Sequence, residues 1–404
     1  MRKIGRKALA AAAVAGLIAT AVAIPATARQ KNAPLKGEGK NLKIVANIGY
    51  EGGSDMEFAT IKGHDYAFAS QMPGADGGGL HVINIDNPAK PKEVAYLPCA
   101  VSQGDVQLSH DQKTVMTGAD STGGPDSCLA VGKLGFMTID IRNPKKPKPI
   151  GFAEIPRGSH NITAHPTKPY VYNSDSDLEG TSNVQVWSIK NPKKPKLVNE
   201  FVSGLHSPHD ISFNADGTRA ITAGVSAIAY LNTEDVENPT VISLTQCPGC
   251  SITHDAKFSP DGTKAIIGDE GGGGLPYPCP GGALYFYDIV GDAVLQPTGV
   301  YEPNEVVLAR DGQTAPDACT SHVFDISDDG TKVAISWYSA GTRYLDVSNP
   351  SGPTIGEQGS GVVELGWFMP DGGKSWSSKF FKGPYIYSND MNRGFDVFKI
   401  ETPK

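Results

Sequence analysis

The sequence is poor in helical signal. No long stretch repeats apolar residues every three to four positions, which argues against a helical or mixed fold. It is also short of positive charge. Lys and Arg total 36 against 43 Asp and Glu, a formal net charge of −7, and that disfavours a nucleic-acid binder. Beyond residue 25 no run is apolar enough to span a bilayer. The hydrolase elbow Gly-x-Ser-x-Gly is absent. The glycine run 271–274 has neither the Lys-Ser/Thr nor the following helix of a phosphate loop.

The one long apolar stretch lies at the start. Arg2, Lys3, Arg6 and Lys7 precede an alanine-rich run that ends at Pro25, and Ala26-Thr27-Ala28 follows at cleavage spacing. Residues 1–28 read as a signal peptide, with no twin arginine and hence ordinary secretion expected. A retained anchor is the alternative, opposed by Pro25 and the small residues. Cleavage removes four positive charges and moves the net charge from −7 to −11. The expected location is secreted or cell-surface, with no membrane span left after cleavage. All six cysteines lie after residue 28, and an even count in an exported chain favours disulfides.

What the sequence has in abundance is a repeat. "INIDNPAKPKEVAYL", "IDIRNPKKPKPIGFA", "WSIKNPKKPKLVNEF", "EDVENPTVISL" and "LDVSNPSGPTIGE" recur with Pro88, Pro144, Pro192, Pro239 and Pro350 as markers. Two degenerate copies, near Asp292 and at the C-terminus, bring the count to seven units of about 50 residues, the length of one four-stranded blade. Each unit reads as strand, Asp-Gly turn, strand, variable loop, strand, Asn-Pro turn, strand. The expected fold is all-β, a seven-bladed β-propeller over residues 42–404, preceded by a flexible segment 29–41. The last unit, taken as starting at Trp367, supplies three strands, and 42–50 supplies an isolated fourth-type strand. That strand should complete the last blade and close the ring, removing the open edges.

"LHVINIDNPAKP" and "TRYLDVSNPSGP" resemble LVIVD-type repeats of exported bacterial and archaeal propellers, over nearly the whole chain after the signal. The resemblance implies architecture and is nearly silent on activity.

The long irregular loops, such as 120–135, 269–282 and 302–321, fall on one face, here called the top, where function usually lies. All six cysteines map there. The expected pairs are Cys99–Cys128, Cys250–Cys319 and Cys247–Cys279, with a Cys247–Cys250 bridge inside "CPGC" as the alternative. On this reading the disulfide-pinned top face is a surface for a small molecule or an extracellular or cell-surface protein, and the protein is a monomer.

The chemistry-bearing pattern is a histidine before the first strand of a unit. "SHNIT", "PHDIS", "THDAK" and "SHVFD" put His160, His209, His254 and His322 at one register in four consecutive blades. Ser54, Gly104 and Gly366 or Trp367 hold that position in the other three. First strands line the channel, so the four imidazoles should meet at its top mouth. One reading is a metal site for copper, iron or zinc. Asp55, Asp105, Asp210, Asp255, Asp120, Asp175, Asp269, Glu270 and Asp390 then stand nearby to support the ligands, and a metal-dependent oxidase or oxygenase becomes the alternative function. The other reading is structural, each imidazole bonding a neighbouring backbone. His206 is a fifth candidate. His64, His81, His110 and His165 read as surface or packing residues. The acidic loop 175–180 could hold calcium, but it lacks EF-hand spacing. The lysines of "NPKKPK" put positive charge on the bottom face.

Overall fold

The computed structural model describes residues 31–74, 77–99, 103–120, 132–174, 183–225, 227–271, 282–291, 294–303, 319–351 and 361–401. Among these there is no α-helix, and seven antiparallel sheets follow one another along the chain. They form a seven-bladed β-propeller. Blade 1 spans residues 53–97, blade 2 103–154, blade 3 161–202, blade 4 211–246, blade 5 253–301, blade 6 324–370 and blade 7 375–400.

The burial of each strand follows its rank in the blade. The second strands Thr114–Ala119 and Tyr170–Ser174 are buried at every position, because both faces pack on neighbouring blades. The fourth strands Lys196–Val202 and Thr240–Gln246 lie outermost and are half-exposed or exposed throughout. The turns form where the residues predict them. In the Asp-Gly turns, Gly217, Gly262 and Gly330 carry φ of 75°, 71° and 70° and donate to Asn214, Ser259 and Ser327 at 2.8–3.0 Å. In the Asn-Pro turns, Lys90, Lys146 and Lys194 donate to the carbonyls of Asn87, Asn143 and Asn191, each at 2.9 Å.

Neighbouring blades are stapled near the axis by carboxylates of the inner strands, three of them one residue after the axial position and Asp325 three residues after His322. Asp105 accepts from the Ile162 amide at 2.7 Å, and Asp325 from the Phe380 amide at 2.9 Å. Longer contacts join Asp55 to the Val106 amide at 3.4 Å and Asp255 to the Phe324 amide at 3.5 Å. Each carboxylate thus caps an amide on the inner strand of the next blade, where no fifth strand exists to pair it.

The ring closes as the strand count requires. Leu42–Ile48 pairs antiparallel with Gly394–Ile400, so both chain ends share blade 7. Two details differ from the sequence reading. Within segment 29–41, Gly37–Lys40 is a strand that pairs with Val363–Pro370 and gives blade 6 a fifth member. The adjacent Asn41 side chain donates to the Leu365 carbonyl at 2.6 Å. Blade 7 begins at Ser375, since Trp367 belongs to the outer strand of blade 6. The segment 352–360 lengthens unit 6 and shifted that boundary in the sequence.

Leu42, Ile44, Phe368, Ile386 and Phe398 form one apolar cluster at this seam. Phe398 is 1% exposed, so Phe398→Ala is expected to cost about 3–5 kcal/mol. Leu244→Ala on an exposed outer strand should change stability by less than about 0.5 kcal/mol. Urea unfolding of both variants measures the difference; comparable losses would mean that the seam does not carry the closure.

Candidate metal centre at the channel mouth

A bulge recurs in the pairing of the first two strands. It falls between Thr253 and Asp255 in blade 5, between Ser375 and Ser377 in blade 7, and across 53–56 and 103–106 in blades 1 and 2. The residue pushed out is His254, Trp376, the Ser54-Asp55 pair or the Gly104-Asp105 pair. A bulge re-aims its side chain, and here it aims at the axis. The seventh-blade counterpart of the histidines is therefore Trp376, in place of Gly366 or Trp367.

The four histidines stand together. Ring centroids of His160 and His209 are 4.6 Å apart, His209 and His254 4.1 Å, and His254 and His322 4.1 Å. Trp376 continues the arc, 4.2 Å from His322. His209, His254 and His322 are 7%, 6% and 3% exposed. The Nε2 atoms of His160 and His209 approach to 2.9 Å.

Outer partners fix how the rings present themselves. His160 Nδ1 lies 2.7 Å from Asp120 Oδ2, and His322 Nδ1 lies 2.8 Å from the Trp376 carbonyl. Both partners accept, so both rings carry their proton on Nδ1 and turn an Nε2 lone pair inward. His209 Nδ1 lies 3.1 Å from the His254 carbonyl and 2.8 Å from Asn161 Nδ2. His254 Nδ1 has no hydrogen-bond partner. The second strand of blade 5 ends at Asp269, and the next residue, Glu270, enters the cluster. Its carboxylate lies 3.6 Å from His322 Nε2 and 4.0 Å from His254 Nε2. Donor atoms of His254, Glu270 and His322 fall within 4.8 Å of one another, close enough to share a metal ion.

Glu270 is held by Tyr338, whose hydroxyl donates to it at 2.7 Å. Tyr338 has φ of 42°, a costly conformation for a bulky residue. The Ser375 and Gly341 amides both donate to its carbonyl and keep it there. The sequence reading named Glu270 among the supporting carboxylates and missed Tyr338 and Trp376. Tyr338 follows the second strand of blade 6, the position Glu270 holds in blade 5, which is the signal that finds it.

Other predicted residues take structural work. Asp269 accepts from the amides of Ser251 and Ile252, and Asp390 from those of Lys374 and Asn392. His165 is a packing residue: its Nδ1 accepts two amides, its Nε2 faces the Gly217 carbonyl, and burial pushes its pKa down to about 4. His81 is buried between Gln71 and Glu93 under a stacked Tyr50, while His64 pairs with Asp86 on the surface. Asp175 and the loop 175–180 lie outside the described residues. The cysteine pairing is corrected. Cys247 joins Cys250, with Cα atoms 5.4 Å apart and Gly249 at φ 96° turning the chain between them. Cys99 and Cys319 are also bonded, to partners outside the described residues, so Cys250–Cys319 and Cys247–Cys279 do not form.

Beneath the rings lies a cavity of about 210 Å³, walled by the histidines and by Asp55, Glu57, Asp105, Asp210, Lys257 and Lys379. Lys379 pairs with Asp55 at 3.0 Å and Glu57 at 2.9 Å, and Lys257 with Asp255 at 3.2 Å. Burial, then repulsion from neighbouring carboxylates, pushes Asp105 and Asp210 well above the usual carboxylate range.

Burial first, and then mutual repulsion, pushes His209 and His254 well below the ordinary imidazole value. Unfolded imidazoles titrate near about 6.5. Below that pH the unfolded chain binds more protons than the folded cluster, so this contribution to stability is complete above it and is lost as pH falls. Metal-free protein is expected to lose stability between pH 7 and 5.5 more steeply than a His209→Gln, His254→Gln variant, by urea midpoints after chelation. Equal slopes would show that the rings are not held neutral.

No protein-family model matches the chain, and no curated protein does. Among solved structures it is similar to a functionally unknown protein from Desulfotomaculum acetoxidans, at 16% identity over 77% of this chain and 88% of that one, TM-score 0.56. It is also similar to the Cps50 (Swd1) β-propeller domain of Myceliophteria thermophila, at 10% identity over 89% and 99%, TM-score 0.60. A third is Kuenenia stuttgartiensis hydrazine synthase, at 11% identity over 88% and 97%, TM-score 0.61. At such identities these likenesses establish the propeller fold and leave the chemistry to the site.

Proposed function

We propose that this protein is an exported propeller of the LVIVD-repeat kind that holds one transition-metal ion on its axis, with His160, His209, His254 and His322 as ligands. The observation that carries the reading is the arc of these four rings from four consecutive blades, in which donor atoms of His254 and His322 lie with Glu270 within 4.8 Å of one another and His160 and His209 meet at 2.9 Å beside them. Imidazole donors suit copper, iron or zinc. Bonds of about 2.0–2.1 Å meeting at a right angle put donor atoms about 2.9 Å apart, which is the His160–His209 spacing. Glu270 fits either a fifth ligand or a carboxylate that accepts a proton beside the ion.

A bound ion on a stiff axis serves two ends. It can organise the top face as a binding surface for a small molecule or an extracellular protein, which is the reading adopted here. Three things also favour a metal-dependent oxidoreductase as the second: Glu270 beside two rings, Tyr338 donating to it, and Trp376 packed at a tilt against His322. Disulfide bonding supports an extracytoplasmic location.

Metal analysis of protein purified without a histidine tag tests the centre. We expect one equivalent of copper, iron or zinc per chain, and its loss in His209→Ala and in His254→Ala. Tyr338→Phe should retain the ion with weaker affinity, by about 10–100-fold in competition against a chelator. Wild-type protein that stays metal-free after exposure to all three metals would leave the structural reading of the histidines standing.

A further inference from the structure

The cavity under the imidazoles borders a second space. Its wall residues Glu57, Gln107, Ala164 and Pro166 also wall a space of about 220 Å³ on the bottom face, which is rimmed by the exposed His110 and Gln112. The two spaces abut across Gln107 and Ala164, where the contact is loose: the Ala164 amide meets Gln107 Oε1 at 3.4 Å. The upper cavity ends on His254, which is buried and has an Nδ1 without a hydrogen-bond partner.

From this we infer that the axial cavity is a loading channel for a divalent transition-metal cation, which enters at the bottom face and is passed up to the imidazoles. The inference rests on the metal-centre reading and adds the route. Size permits it. A water occupies about 30 Å³ in the liquid, so a cavity of about 210 Å³ has room for an ion carrying most of its hydration shell. Charge favours it. Lys379 stands against both Asp55 and Glu57, and Lys257 against Asp255, so two cations face three carboxylates on or beside the wall. Chemistry sorts the stations. Carboxylate and amide oxygens hold a hydrated ion weakly, whereas imidazole nitrogens hold a transition metal strongly. The ion therefore has a downhill path from oxygen donors to nitrogen donors.

Gln107 is the residue to test, because it belongs to both spaces and is remote in sequence from every proposed ligand. Cobalt(II) is the probe, followed by its visible absorption after rapid mixing with metal-free full-length protein. Gln107→Arg should slow loading by about tenfold and Gln107→Glu should speed it, with equilibrium affinity within about twofold of wild type in both. The opposite signs guard against a folding defect in either variant. Equal loading rates in all three proteins overturn the route and leave the metal centre intact. So does a change in affinity without a change in rate, since Gln107 would then act on the site. A wild-type protein that binds neither cobalt nor copper, iron or zinc overturns centre and route together.

Discussion

The constraint that shapes this molecule is the crowding of seven inner strands around one axis. Each inner strand has a free edge, and each free edge carries amides that no neighbouring strand pairs. Buried amides left alone cost about 1–3 kcal/mol each. The chain answers with an acidic residue one register after the axial position, its carboxylate turned to the next blade. Asp105 to Ile162 is the short example, and in blade 6 Asp325, three residues after His322, does the same for the Phe380 amide. The His-Asp pairs of blades 4 and 5 divide the tasks: both imidazoles belong to the mouth, the Asp255 carboxylate reaches the next blade, and the Asp210 carboxylate walls the cavity. Once carboxylates stand in that ring, positive charge must follow. Lys257 and Lys379 supply it from blades 5 and 7, and the second links the last blade to the first through Asp55 and Glu57.

Most of the fold was legible because the repeat carries its own punctuation. The Asn-Pro and Asp-Gly turns mark both hairpins of a blade, and counting the strands between them exposes the closure of the ring. The four histidines were legible for the same reason, since a shared register in a propeller becomes a continuous arc around the axis. The failures came where punctuation lapses. Unit 6 carries an insertion at 352–360, so the last unit was started at Trp367 and its axial residue was missed. Trp376 could be found only after that strand boundary moved. Gly37–Lys40 carries no apolar pattern, and its place on blade 6 follows from pairing alone.

The cysteines show a different limit. Equivalence of strand position suggested Cys250–Cys319, because the two residues precede matching strands of adjacent blades. Local geometry wins instead. The Cys250 amide bonds the Cys247 carbonyl at 3.1 Å, and Gly249 takes the left-handed turn that brings the two side chains together. A loop of four residues closes with far less entropy loss than one between blades. Register arguments work for strands, which the sheet holds, and fail for the loops between them.

The choice between a structural and a metal-binding reading of the histidines turns on where the hydrogen bonds stop. A purely structural imidazole spends both nitrogens on fixed partners, as His165 does with two amides and a carbonyl. His160 and His209 still meet each other through Nε2, and His209 spends Nδ1 on Asn161 and the His254 carbonyl, but the cluster as a whole departs from that pattern at His254 and His322. His160 and His322 spend Nδ1 on outer acceptors and turn Nε2 toward other ring nitrogens or Glu270, and His254 leaves Nδ1 with no partner at all. Burial bars water from making up the difference cheaply and also keeps His209 and His254 from accepting protons. A cluster built this way has lone pairs converging on a small space, with carboxylates beside and beneath it. On the proposed reading the species that relieves such an arrangement is a cation with an affinity for nitrogen, since a proton serves poorly where each protonated ring would repel the next. Electrostatics therefore ties the imidazole mouth to the acidic cavity below it: both are poised for positive charge that the chain itself does not fully provide.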